Sequence, residues 1–163
     1  MDPRDVKYVS LPFHLNLNLT PISLKGLTAQ GNSVTLQPGS ASFAAIDTGT
    51  TLVGGPASVI AQLYAQIPNS APGSGDYDGY YTYPCSTAVN VTLAFGGQSW
   101  SVSPDDFRLA QLSSTQCLGA FFELSGQGTP AWIVGDTFLV CPFFILYPTL
   151  VTQVYFLFPF PSL

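Results

Sequence analysis

The stretch that most constrains this chain is residues 43–52, which read Phe-Ala-Ala-Ile-Asp-Thr-Gly-Thr-Thr-Leu. An apolar run followed at once by a carboxylate and a Thr-Gly turn predicts a buried strand that delivers Asp47 to a fixed position. Gly49 permits a tight backbone approach, and the threonine hydroxyls can hydrogen-bond beside the carboxylate. The alternative is an aspartate that only caps the following helix. The apolar residues on both sides of the turn favour a functional loop.

Composition excludes several classes of protein. A length of 163 residues allows one domain with a substantial core. Four lysines and arginines, with a net charge of -5, cannot form the basic footprint of a nucleic-acid-binding protein. One histidine, with no Cys-x-x-Cys or His-Glu-x-x-His motif, gives no support to a zinc site. We therefore expect neither nucleic acid nor metal as a partner, and the isoelectric point near 4.2 suits export to mildly acidic surroundings.

Short strands and turns dominate the pattern. Apolar stretches flank a turn at residues 30–33, and a second turn at residues 38–40 precedes the strand that carries Asp47. Residues 89–95 alternate apolar and polar side chains before a Gly96-Gly97 turn, and Trp100 continues on the return strand. The sequence therefore predicts a mainly β fold.

One helix is clearly predicted. Gly54 and Gly55 precede Pro56, which fits the first helical position, and Pro68 marks the end. Five apolar residues between these limits fall on one helical face: Val59, Ile60, Leu63, Tyr64 and Ile67.

A short second helix is predicted after Ser103, which is a suitable N-cap. Asp105 and Asp106 then lie in its first turn, where carboxylates complement the helix dipole. We interpret this acidic pair as structural and not catalytic.

Cysteine arithmetic suggests one disulfide. Of three cysteines, Cys85 and Cys117 lie in the well-patterned region and Cys141 lies in an atypical tail. A bridge between Cys85 and Cys117 is the expected pairing, and two ordinary buried thiols are the alternative. The sequons at Asn18 and Asn90 carry meaning only if the chain is exported.

Residues 132–139, Trp-Ile-Val-Gly-Asp-Thr-Phe-Leu, complete a familiar order of signals. An Asp-Thr-Gly-Thr-Thr loop, a helix, two cysteines around a hairpin, and this segment follow one another at suitable intervals. Residues 20–139 thus resemble the C-terminal lobe of a pepsin-like aspartic endopeptidase, most closely the secreted or vacuolar fungal members. The resemblance implies one lobe of a bilobal, β-barrel-like fold with one clear helix and a short second one, acting on peptide or protein substrates without a cofactor.

The resemblance also implies roles for individual residues. Asp47 would be the second catalytic aspartate, with Thr48 and Gly49 completing its turn. Thr50 would join the hydrogen-bond network that links two such loops and, like Thr51, contact substrate. Behind the loop, a supporting strand would be formed by Ile133, Val134 and Gly135.

The chemistry of the family requires two carboxylates, and this sequence contains one Asp-Thr-Gly. We therefore expect a half-molecule that lacks the N-terminal protease lobe as its partner and is inactive alone. Two alternatives stay open. Two copies of Asp47 could form the dyad in a homodimer, as in retroviral-type proteases, or the lobe could bind peptides without cleaving them.

Both ends of the sequence depart from the pattern. Residues 1–19 form a poorly patterned extension without the basic and apolar regions of a signal peptide, and His14 lies there in no nucleophile context. Residues 140–163 are uncharged and apolar, but four prolines argue against a membrane helix. The family pattern stops at Leu139, and the tail consists largely of residues whose codons are rich in pyrimidines, as the end of an intron is. We therefore interpret residues 140–163 as translated intron sequence.

Overall fold

The computed structural model describes residues 22–124 and 130–140. These residues form three β-sheets and three short helices, which confirms the mainly β fold. The strands are β1 (Ile22–Ser23), β2 (Gly26–Ala29), β3 (Asn32–Ser33), β4 (Phe43–Ile46), β5 (Val53–Gly55), β6 (Ala71–Pro72), β7 (Tyr81–Pro84), β8 (Val91–Ala94), β9 (Ser99–Val102), β10 (Arg108–Gln111), β11 (Gln116–Gly119), β12 (Phe121–Glu123) and β13 (Trp132–Val134). The helices are α1 (Ala57–Tyr64), α2 (Pro104–Phe107) and α3 (Asp136–Leu139). The expectations for residues 1–19 and 141–163 lie outside the described residues.

The central sheet has five strands in the order β1-β4-β13-β5-β12. β13 runs parallel to β4, with Val134 opposite Ile46, and antiparallel to β5, with Val134 also opposite Val53. β4 and β5 follow each other along the chain but have β13 between them. Residues 47–52, which connect β4 to β5, must therefore cross the end of β13.

Two four-stranded sheets, β3-β2-β8-β9 and β10-β11-β7-β6, complete the fold. The predicted turn between β2 and β3 is formed by Gln30 and Gly31, whose φ angles of 52° and 80° suit a tight hairpin. The hairpin of β8 and β9 also forms as predicted, and Val91 pairs with Val102 on its buried face.

Helix α1 forms where the apolar periodicity predicts it, and the five apolar residues of that pattern are buried, with Ile67 lying beyond the end of the helix. It ends at Tyr64, earlier than Pro68, because the chain tightens there. Gln66 and Ile67 donate their N–H groups to the carbonyls of Leu63 and Tyr64, three residues back.

Glycines conceal strand β5, which the sequence pattern had assigned to the start of the helix. Pro56 is the N-cap of α1, and Val53–Gly55 is a fully buried strand. A Cβ on Gly55 would lie 2.4 Å from the ring of Trp132, so the indole occupies the space of a side chain. Strand β10 was also missed, because all four of its residues are exposed and carry no alternation.

Aromatic side chains dominate the core below the central sheet. Tyr64 stacks on Tyr81 with ring centroids 4.4 Å apart, and its hydroxyl donates to the Phe121 carbonyl at 2.9 Å. Burial raises the pKa of Tyr64 well above its ordinary value. The Tyr81 hydroxyl donates a hydrogen bond to the Glu123 carboxylate at 2.7 Å. Burial, and secondly this carboxylate, raise the pKa of Tyr81 to about 12. Both phenols therefore remain neutral and act as structural donors.

The expected disulfide is present. Cys85 and Cys117 are bonded, with their Cα atoms 5.0 Å apart, where the chain leaves β7 beside β11. The bridge thus lies in the β10-β11-β7-β6 sheet, and not in the central sheet that carries Asp47. Among the residues described, no helix has the length and apolar character needed to cross a membrane.

Candidate active site

The loop of residues 47–52 presents one carboxylate at the end of the central sheet. Asp47 and Thr50 are partly buried, whereas Thr48, Gly49 and Thr51 are exposed. The apolar residues of β4 hold the strand in the sheet, and the chain turns immediately after Asp47, where the Thr50 N–H donates to the Asp47 carbonyl at 3.2 Å. The predicted strand-to-turn geometry around Asp47 is therefore present.

Each oxygen of the Asp47 carboxylate accepts a hydrogen bond from its own loop. The Gly49 N–H donates to Oδ1 at 2.9 Å, and the Thr50 hydroxyl donates to Oδ2 at 2.6 Å. The Thr50 hydroxyl, and secondly the Gly49 N–H, lower the pKa of Asp47 below its ordinary value by stabilising the ionised form. Asp47 is therefore an acidic, solvent-accessible carboxylate in a fixed orientation.

Residues 133–135, at β13, lie directly behind this loop. The Asp47 N–H donates to the Val134 carbonyl at 3.0 Å, and the Gly135 N–H donates to the Leu52 carbonyl at 3.0 Å. Ile133 pairs with Ala45 one position earlier in the ladder. The backbone bonds thus hold both ends of the loop to the same strand.

The support continues beyond the predicted residues into helix α3. The N–H groups of Asp136 and Thr137 donate to the carbonyls of Thr50 and Thr51 at 2.9 and 2.8 Å. These N–H groups belong to the first turn of α3, which has no partners for them within the helix. Sequence reasoning missed this contact because backbone bonds leave no mark on residue identity.

Gly135 lies directly under the loop. A Cβ at this position would lie 2.0 Å from the Thr50 carbonyl oxygen and 2.7 Å from that of Leu52. Its backbone, with φ of -101°, is open to any residue, so the requirement for glycine is one of space. Only glycine allows the loop carbonyls to approach β13 this closely.

A pocket of about 290 Å³ adjoins the loop on the side of helices α2 and α3. Its wall includes Thr51 and Leu52 from the loop, Asp136 and Thr137 from α3, and the acidic pair of α2. Sequence analysis did not predict this neighbourhood, because α2 lies more than fifty residues from the loop.

Ser103 is the N-cap of α2, as predicted, and the acidic pair lies in the first turn of this helix. The Ser103 hydroxyl accepts from the Asp106 N–H at 3.0 Å and donates to the Asp106 carboxylate at 2.6 Å. Asp105 forms an exposed ion pair with Arg108 at 3.0 Å. Both aspartates thus stabilise the start of α2 and its continuation into β10.

Chemically, the described site offers one ordered carboxylate that water can reach. Within residues 22–124 and 130–140, no three acidic, histidine or cysteine side chains come together to hold a metal ion. A single carboxylate in this position can accept a proton or a hydrogen bond from a water molecule or a bound ligand.

Comparison with known proteins agrees with this geometry. The family model described as eukaryotic aspartyl protease matches residues 9–156. An aspartic protease of Phaffia rhodozyma is 48% identical over 124 residues, which cover 72% of this chain and 29% of that protein. The major aspartyl peptidase 1 of Cryptococcus neoformans is 42% identical over 127 residues, covering 72% of this chain and 26% of the relative.

A mammalian protein is also similar to this chain. Cathepsin D of Canis lupus familiaris is 36% identical over 118 residues, which cover 68% of this chain and 28% of that protein. The chain therefore spans under a third of the length of the curated relatives it matches. Residues 9–156, which the family model matches, include the Asp47 loop, both bridged cysteines and β13. The chain belongs to the eukaryotic aspartyl protease family.

Proposed function

We propose that this chain is the lobe of an aspartic endopeptidase that supplies the second catalytic carboxylate, Asp47. The observation that carries the proposal is the double hydrogen bonding of that carboxylate by Gly49 and Thr50 at the exposed end of a buried sheet. An aspartate that served only as a helix cap would accept hydrogen bonds from the N–H groups at the start of α1. Asp47 instead accepts hydrogen bonds from its own turn and remains partly exposed.

The reaction needs a second aspartate, supplied by a companion lobe. Two carboxylates in contact cannot both ionise at working pH, so they share one proton and titrate as a coupled pair, for which aspartic proteases are the standard example. One carboxylate takes a proton from the attacking water while the other protonates the carbonyl oxygen of the peptide bond. We assign Asp47 to this pair, Thr50 to the hydrogen-bond network between the two loops, and Thr50 and Thr51 to contacts with the substrate.

The supporting residues fit this assignment. Ile133, Val134 and Gly135 fix the height of the loop, and Thr50 fixes the rotation of the carboxylate. A dyad requires both carboxylates to be held within tenths of an ångström, because proton sharing depends on their separation. A rigid strand behind the loop is the appropriate support for that geometry.

The test is complementation. The 163-residue chain is refolded with and without the N-terminal half of a fungal aspartic protease, and cleavage of an unstructured peptide is followed at about pH 3 to 5, the range in which such dyads hold one proton. We expect pepstatin-sensitive cleavage only from the mixture. Asp47→Asn should abolish cleavage, whereas Asp76→Asn, at an exposed aspartate in a loop, should leave it unchanged.

Other outcomes identify the alternatives. Cleavage by the chain alone, with sedimentation as a dimer and loss in Asp47→Asn, would establish a homodimeric dyad. Peptide binding without cleavage in every mixture would establish a non-catalytic lobe. Cleavage that survives Asp47→Asn would overturn the assignment of Asp47.

We also infer that the chain matures in an oxidising compartment, on the way to the cell exterior or a vacuole. The support is the Cys85–Cys117 disulfide, because such bonds persist outside the reducing cytosol. Detection of the oxidised form in the exported fraction of cells that make the chain is the expected result. Two free thiols at these cysteines in the native protein would contradict it.

A further inference from the structure

We propose that Asn90 is a site of N-linked glycosylation. Residues 90–92 read Asn-Val-Thr, the acceptor triplet, and the Asn90 side chain is exposed at the start of β8. Many such triplets occur by chance in buried or constrained positions. The argument here depends on how the fold presents this one.

The fold fixes the backbone of Asn90 and leaves its side chain pointing outward. The side-chain oxygen of Gln30 accepts from the Asn90 N–H at 3.1 Å, and the Gln30 N–H donates to the Asn90 carbonyl at 2.8 Å. Val91 is fully buried, and side chains alternate along a strand, so Asn90 and Thr92 lie together on the opposite face. A sugar on Asn90 therefore extends into solvent without disturbing the core.

The outer face of this sheet is polar around the acceptor. Thr92 shares a hydrogen bond of 2.7 Å with Thr28 on β2, and Ser101 on β9 is its other neighbour. A carbohydrate is compatible with such a surface, because the protein's hydroxyl groups can exchange hydrogen bonds to water for hydrogen bonds to sugar hydroxyls at little cost in free energy. An apolar outer face would have needed burial against a partner instead.

The acceptor is also separated from the candidate catalytic loop. Asn90 immediately precedes β8 in the sheet β3-β2-β8-β9, whereas Asp47 follows β4 in the five-stranded sheet. A glycan at Asn90 is therefore compatible with an open site at residues 47–52. It does require export, which the inferred oxidising compartment supplies.

The modification is a group transfer from a lipid-pyrophosphate-linked oligosaccharide. The Asn90 Nδ2 forms a bond to the anomeric carbon of the first sugar as the bond from that carbon to the pyrophosphate oxygen breaks. The lipid pyrophosphate leaves with the electron pair of the broken bond, and Nδ2 loses one proton to a base of the transferring enzyme. No oxidation or reduction takes place.

The test uses the full 163-residue chain, directed by a leader peptide into the secretory pathway of a eukaryotic host. The second triplet is silenced by Asn18→Gln, so that one acceptor remains. We expect a single glycan that peptide-N-glycosidase removes, converting Asn90 to aspartate in the peptide mass spectrum. An Asn90 peptide found wholly unmodified in the exported chain would overturn the proposal.

Variants separate the acceptor from effects on folding. Asn90→Gln and Thr92→Val should each remove the glycan completely, as seen by gel mobility in whole-cell lysate, which also counts retained protein. Thr28→Val is the matched control, because it breaks the same Thr28–Thr92 hydrogen bond but leaves the triplet intact, and it should keep the glycan. Retention of the glycan in Thr92→Val, or its loss in Thr28→Val, would contradict the assignment.

Discussion

At the scale of single residues, Thr50 lowers the pKa of Asp47. Its hydroxyl is the first cause of the lowered pKa of Asp47, ahead of the Gly49 N–H. Thr50→Val keeps the shape of the side chain and removes the donor, so the pKa of Asp47 should rise toward its ordinary value. A carboxyl-carbon NMR titration of the folded chain measures this directly.

The control for that titration is Thr50→Ser, which retains the hydroxyl and should keep the pKa of Asp47 low. The lowered pKa is also linked to stability, because the folded chain favours the ionised carboxylate. The stabilisation of the folded chain is fully present at pH values above 3.8, the ordinary pKa of an aspartate. It is lost as the pH falls through the lower pKa that Asp47 has in the folded chain. An equal pKa of Asp47 in the wild type and Thr50→Val would remove Thr50 from this role.

Gly135 tests the support behind the loop. In Gly135→Ala the new Cβ would lie 2.0 Å from the Thr50 carbonyl oxygen, so the loop or β13 must move. We expect a loss of about 1 to 3 kcal/mol in the free energy of unfolding, as for other overpacked sites. Urea unfolding of the purified chain is the measurement.

Gly26→Ala is the comparison for Gly135→Ala. Its Cβ would meet one methyl group, that of Ala94, at 3.3 Å, so it should cost less. Equal stability losses in the two variants would mean that the close approach at Gly135 is not what requires glycine there.

At the scale of elements, the sequence predicted those whose side chains follow a regular period. Helix α1 and the β8–β9 hairpin form because apolar residues recur at helical and strand spacing, respectively. Strand β5 could not be predicted in this way, since two glycines replace the side chains that would mark it. Its position becomes understandable only once Trp132, from a segment nearly eighty residues later, fills the space above Gly55.

The site was predictable to the same extent. The carboxylate and its turn are encoded locally, within residues 43–52, and β13 was expected beside them. The bonds from α3 to the carbonyls of Thr50 and Thr51 involve backbone atoms alone, so residue identity does not specify them. The pocket beside Thr51 brings together α2, α3 and the loop, and only the tertiary fold defines it.

The disulfide joins two elements that the chain separates by 32 positions. Cys85 follows β7, and Cys117 lies in β11, fully buried. Closing a loop of this length lowers the entropy of the unfolded chain. On the chain-entropy account this stabilises the folded state by about 3 to 4 kcal/mol. We expect the double variant Cys85→Ser, Cys117→Ser to lose stability of that order in urea unfolding under non-reducing conditions.

Reduction of the wild type supplies the control for the disulfide. Adding a thiol reductant should lower its unfolding midpoint toward that of the double variant and leave the double variant unchanged. A double variant as stable as the oxidised wild type would show that the sheet, without the bridge, is sufficient to hold β7 against β11.

At the scale of the whole molecule, the chain spans under a third of the length of these relatives, and the Asp47 carboxylate lies at the end of the central sheet. The two carboxylates of a dyad formed with a companion lobe titrate as a coupled pair, so their two macroscopic pKa values belong to the pair. These values set the acid and alkaline limbs of a bell-shaped profile of activity against pH. Thr50 stabilises the ionised form of one member. In the complemented enzyme, Thr50→Val should therefore shift the acid limb of kcat/KM to higher pH.

This pH profile distinguishes an electrostatic role for Thr50 from a purely structural one. Thr50→Ser, which keeps the donor, should retain the wild-type acid limb even if the missing methyl group lowers kcat. Gly135→Ala, which disturbs the loop without removing a donor, should lower kcat with less change in the position of the limb. An acid limb that stays in place in Thr50→Val while kcat falls would mean that Thr50 acts only by holding the loop, and that the companion aspartate alone sets the protonation of the pair.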